Sequence, residues 1–170
     1  MRILGIDPGL NITGYGCVEF ADGDRDATLV EGGVFRFQSK KPMPVRLRQL
    51  HEDLNEVLTA LTPDRVVVEQ LFSHYRHVRT SILMGHARGV VLMTAQMHGI
   101  ELDELTPTEV KKAVTGHGHA TKQQMQMAIM SQCQLDVLPE PPDLADAIAI
   151  ALCAARRVQA EAITPQPSSD

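Results

Sequence analysis

Val66, Val67 and Val68 form an unbroken apolar run in "RVVVEQLF", directly after the breaker Thr62-Pro63-Asp64. A strand with one wet face alternates apolar and polar residues. Three β-branched residues in succession instead predict a strand buried on both faces, as in a parallel sheet with helices above and below it. That need for cover on both sides sets the layering of the chain. Upstream, Ile3 to Ile6, Thr13 to Phe20 and Leu29 to Phe37 read as three consecutive antiparallel strands, the last two separated by the polar "ADGDRD". Between them and the valine strand, "KPMPVRLRQLHEDLNEVLTAL" places Val45, Leu47, Leu50, Leu54, Val57, Leu58 and Leu61 at helical spacing.

Downstream, about Thr80 to His98 reads as a helix that is apolar nearly all round, with Ile82, Leu83, Ala87, Val91, Met93 and Met97 on different faces. One face would cover the sheet and another would need a partner. "IELDEL" offers a short strand. Thr106-Pro107 with Glu109, and Thr121 with Gln124, carry the capping-box spacing that opens two further helices. "PPDLADAIAIALCAARR" gives a last one. The order predicts an α/β fold with a mixed five-stranded sheet, three antiparallel strands followed by parallel ones, flanked by helices. At 170 residues one domain is expected, over residues 1–157, with 158–170 as a flexible polar tail.

Four carboxylates stand out. Asp7 ends the first strand and precedes a Pro-Gly turn, a position that suits a turn residue as well as a ligand. Glu69 ends the valine strand, where an isolated carboxylate is costly to desolvate unless some Arg meets it. Asp143 and Asp146 lie three apart in the first turn of the last helix, favoured there by the helix dipole, yet on the face that Ala147, Ile150 and Ala154 continue inward. Carboxyl ends of neighbouring strands are where open α/β sheets place their sites. If the four converge, their repulsion calls for hard divalent cations with oxygen ligands: Mg²⁺, two per site, with Mn²⁺ able to substitute. Two such ions activate water for in-line attack at phosphorus, so the implied substrate is a phosphodiester.

The net charge of −5 argues against a general polyanion binder. Much of the acidic excess, however, is those four carboxylates. Arg76, Arg79, Arg88, Lys111, Lys112 and Lys122 gather in the middle of the chain. Lys122 falls in a first helical turn, where the dipole disfavours a cation; it is either a solvated surface lysine or the partner of a phosphate. Phe72 and Tyr75 sit in the basic "LFSHYRHVRT", so Phe72 is either the last core residue of its strand or a base-stacking platform. Cys17, Cys133 and Cys153 form no CxxC pair, and no membrane span or signal segment is evident; a cytoplasmic protein with free thiols is expected.

Taken together, "GIDPGLNITGYG", "VVVEQLF", "GHARGVV", "VKKAVTGHGHATK" and "PPDLADAIAIA" resemble the RuvC family of Holliday junction resolvases, in order and over Met1 to Arg157. The resemblance implies a ribonuclease H-like fold and a homodimer joined through the long second helix. It also implies Mg²⁺-dependent resolution of four-way DNA junctions by symmetric nicks, in recombination and repair, beside a branch-migration motor complex. It carries the family's acidic tetrad onto Asp7, Glu69, Asp143 and Asp146. It further implies DNA contacts at Lys111 and Lys122 and a junction-core aromatic at Phe72; neighbouring Lys112, and Arg76 from the central group of basic residues, join them as DNA-binding candidates. Two other readings stay open on the residues alone: a non-cleaving nucleotide-binding module on the same fold, and a nuclease acting on RNA–DNA hybrids.

Overall fold

The computed structural model describes residues 1–71 and 78–163. In chain order the elements are β1 (Arg2–Asp7), β2 (Ile12–Glu19), β3 (Thr28–Arg36), α1 (Met43–Leu61), β4 (Arg65–Glu69), α2 (Val78–Met97), β5 (Glu101–Leu105), α3 (Pro107–Thr115), α4 (Lys122–Gln132) and α5 (Pro142–Ile163). The strands form one sheet in the order β3-β2-β1-β4-β5. Pairing is antiparallel across β3, β2 and β1, and parallel from β1 to β4 and β4 to β5. This is the mixed five-stranded sheet expected from the residue pattern.

The valine run behaves as its lack of alternation requires. Val67 enters a core built with α3, α4 and α5, whereas Val66 and Val68 enter a second core with α1 and α2. On β1, Ile3 serves the first core, and Leu4 and Ile6 the second. Both central strands are thus buried on both faces.

On the second face, Leu50, Leu54 and Leu58 of α1 pack with Ala87, Val91 and Ala95 of α2. Two polar contacts bridge these helices. Thr94 Oγ1 donates to Val90 O at 2.8 Å and accepts from His51 Nδ1 at 2.9 Å. His98 Nε2 donates to Asn55 Oδ1 at 2.8 Å. The opposite side of α2 is uncovered in the single chain: Ile82 and Met97 are 58% and 68% exposed, with Val78 and Met93 on the same stripe.

On the first face the strands are unusually bare. An added Cβ at Gly5 would overlap the Ala147 carbonyl oxygen and the Ala151 amide, and one at Gly14 would overlap the Asp143 carbonyl. These positions need glycine because helix backbone rests on strand backbone. Ala145, Ala147, Ala149 and Ala151 are fully buried along α5.

The polar tail was expected from residue 158, but α5 continues to Ile163. Polar side-chain contacts hold the added turns: Arg157 pairs with Glu161 at 3.0 Å, and Gln159 Nε2 donates to Asp24 O at 2.9 Å. Among the described residues no helix is long and apolar enough to cross a membrane.

The close approach of α5 generates a test. Gly5→Ala should destabilise the protein by about 1–3 kcal/mol or more, because backbone rather than a flexible side chain blocks the new methyl. The measurement is the shift in urea midpoint at unchanged m-value.

Candidate active site

Asp7 and Glu69 are the last residues of β1 and β4. The parallel register pairs Ile6 with Val68, so the two carboxylates emerge side by side from the carboxyl edge of the sheet. Asp7 is also paired with Gly14 across β2, and Gly14 is the residue on which the Asp143 backbone sits. That contact delivers the start of α5 to the same edge. Asp143 Oδ1 lies 3.9 Å from where a Cβ would stand at Gly9, in the turn that follows Asp7.

Electrostatics report the convergence. Burial pushes the Asp7 carboxyl up to about 7, reinforced by repulsion from Asp146, Glu69 and Asp143 and opposed by Lys122. Burial raises Glu69 to about 6, reinforced by Asp146 and opposed by Lys111 and Lys122. Asp146 is raised as well, by burial first, with Lys122 and Lys111 pulling it down and Asp143 pushing it up. The four carboxylates singled out in the sequence are thus linked, Asp146 acting on Asp7 and Glu69, and Asp143 on Asp7 and Asp146, and two of the expected lysines oppose the repulsion. Lys112 is exposed on α3 and acts on none of the three shifted groups. Phe72 and Arg76 lie outside the described residues.

Supporting residues have no signature in the sequence. Thr13 is fully buried; its hydroxyl accepts from Gly9 N at 3.2 Å and lies 3.3 Å from Gly9 O, to which it donates. It clamps the turn behind Asp7. Gln126 of α4, also buried, donates to Pro139 O at 2.9 Å and anchors the loop that enters α5. A threonine beginning a strand and a glutamine inside a polar helix give no sign of such roles. His117 is exposed and turned onto its own loop, its Nδ1 donating to Thr115 O at 3.2 Å.

The donor set fits a hard divalent cation: its members are all carboxylates, and their mutual repulsion is the field a cation relieves. Among the described residues no three His, Cys, Asp or Glu side chains enclose a single point.

The chain is similar to known proteins over most of its length. The family model described as crossover junction endodeoxyribonuclease RuvC matches residues 3–154. A protein of that description from Rhodopirellula baltica is 48% identical over 151 residues, covering 89% of this chain and 84% of its own. The solved Thermus thermophilus RuvC structure superposes with a TM-score of 0.83 at 34% identity, covering 95% of this chain and 97% of that one. T. thermophilus RuvC in complex with Holliday junction substrate matches with a TM-score of 0.83 at 31% identity, over 94% and 96% of the two chains.

The raised carboxyls predict a pH dependence. Folded Asp7 keeps its proton to about pH 7, whereas the unfolded residue releases it near the ordinary aspartate value of 3.8. Between these values the folded state binds more protons, so stability falls as pH rises through the window. In metal-free protein, Asp7→Asn should therefore be more stable than the parent at pH 8 by on the order of 4 kcal/mol. The gain should vanish below the unfolded value, as read by denaturation at a series of pH values.

Proposed function

Because the chain belongs to the RuvC family of crossover junction endodeoxyribonucleases, we propose that it resolves four-way (Holliday) DNA junctions by paired symmetric nicks, in homologous recombination and DNA repair. The fold is ribonuclease H-like. The observation that carries the reading is the cluster of mutually repelling carboxylates at the ends of β1, β4 and the start of α5, with Lys111 and Lys122 beside it. Residues 1–157 would form a single nuclease domain and 158–170 its C-terminal tail, of which the first residues continue α5 to Ile163.

Asp7, Glu69, Asp143 and Asp146 would hold divalent cations, Mg²⁺ in the first instance with Mn²⁺ as a substitute. When bound, two such ions supply activation of water and stabilisation of the leaving oxygen for in-line displacement at phosphorus. The chain's own part is positional. The ends of β1 and β4 fix two carboxylates on a rigid sheet, and α5 brings the other two against them. Lys111 and Lys122 contact the DNA backbone beside the carboxylates, and Lys112 and Arg76 extend the contact. Phe72, in the segment after β4, stacks at the junction core.

A four-way junction with two-fold symmetry needs two cuts, and a homodimer supplies two sites related by the same symmetry. The apolar stripe of α2, Val78, Ile82, Met93 and Met97, supports a dimer joined along that helix. Gly85 and Gly89, where an added Cβ meets nothing within 4 Å, leave room for close approach of a second helix. A branch-migration motor would present the junction to this dimer.

The discriminating experiment offers an immobile four-way junction, a linear duplex and an RNA–DNA hybrid, with and without Mg²⁺. Paired nicks on the junction alone, dependent on metal, are expected; cutting confined to the hybrid would overturn the reading. On the junction, Asp7→Asn and Asp146→Asn should each slow cleavage by on the order of 10²–10³-fold or more while leaving binding largely intact. A companion variant, Ile82→Glu, should sediment as a monomer with an unchanged circular dichroism spectrum. It should convert paired nicks to single, uncoordinated ones.

A further inference from the structure

A second basic surface lies across the sheet edge from Lys111 and Lys122. From Gly32 to His51 the chain carries Arg36, Lys40, Lys41, Arg46 and Arg48 but no Asp or Glu, in a protein of net charge −5. Arg48 pairs with Glu52 along α1 at 3.5 Å. Among the described residues the other four form no ion pair. Arg36, Lys40 and Lys41 are exposed. The two lysines lead into a helix whose first turn holds no acid, so the positive helix end adds to their field and nothing on that segment offsets it.

This surface is tied to the catalytic edge. Arg46 Nη1 donates to Leu10 O at 2.8 Å and to Asn11 Oδ1 at 3.2 Å, and Phe37 N donates to Asn11 O at 2.9 Å. Leu10 and Asn11 belong to the β1–β2 turn that begins after Asp7 and contains Gly9. The strand order puts β3, which feeds this connection, at one sheet edge and β5, which leads into α3 and Lys111, at the other. Cations therefore flank the carboxylates on both sides.

We propose that the β3–α1 connection is a second track for DNA backbone: Lys40 and Lys41, with Arg36, take phosphates of the duplex arm that carries the scissile strand, and Arg46 pins the surface to the turn behind Asp7. The proposal rests on the junction-cleaving reading above. Its partner is backbone rather than bases, since Phe35 and Phe37, the Phe residues of this segment, are both buried. Clustered cations without counter-charge repel one another in the free protein, and a duplex with one negative charge per roughly 1.7 Å relieves that repulsion. Such contacts set position and register without reading sequence.

The test is the salt dependence of junction binding by the Lys40→Ala/Lys41→Ala double variant. The slope of log K against log salt should become shallower by roughly 2, since each phosphate left without its lysine removes about 0.9. Lys40→Arg/Lys41→Arg should keep the parent slope, as should Arg157→Ala at the far end of α5. Should the double variant melt early, the single alanine variants should each shift the slope by about 1. A parent-like slope in the alanine variant, or an equal change in Arg157→Ala, overturns the proposal while junction cutting by the parent stands. A parent protein that neither binds nor cuts the junction overturns the functional reading and this proposal together.

Discussion

At Gly5 and Gly14 the backbone of α5 rests on strand backbone with no side chain between them. Any residue larger than glycine would lift the helix, and with it Asp143 and Asp146, away from the ends of β1 and β4. Ala147 and Ala151 of α5 are the other half of the same fit, since their small side chains let the helix lie flat against Gly5 and Gly14. Close packing of this kind gains its energy from many weak contacts made at short range. The geometry of the carboxylates is therefore set by the least chemically distinctive residues in the molecule.

The cluster itself works against folding. Asp7, Glu69 and Asp146 are all pushed above the usual carboxylate range, and burial is the leading cause at each. The fold tolerates this because the strands that bear Asp7 and Glu69 are held by two cores, one on each face, neither of which includes the carboxylates. Lys111 and Lys122 offset part of the repulsion from outside. A site assembled against its own charge is stabilised further by whatever cations and phosphates it takes up.

Much of this was legible in the sequence. The valine run required a sheet covered on both faces, and strand ends together with the three-residue spacing of Asp143 and Asp146 placed the carboxylates. What stayed hidden depends on contacts between distant segments. Gly5 and Gly14 read as ordinary strand or turn glycines because nothing local records that a helix lands on them. Thr13 and Gln126 act through single hydrogen bonds to backbone, which leave no periodic trace. The cations of the β3–α1 connection were obscured by a net charge that sums over the whole chain, and α5 outran its expected end because its last turns are held by Asp24, far off in sequence.

The two polar bridges between α1 and α2 have a bearing on symmetry. Hydrophobic packing alone lets a helix roll about its axis at little cost, since one aliphatic contact substitutes for another. His51 to Thr94 and His98 to Asn55 are directional, and each is satisfied at a single rotation of α2. They lock the azimuth at which the outer stripe faces away from the sheet. In the dimer proposed above, the angle between the two chains, and so the span between their two carboxylate edges, would thereby be decided inside each chain before either meets the other.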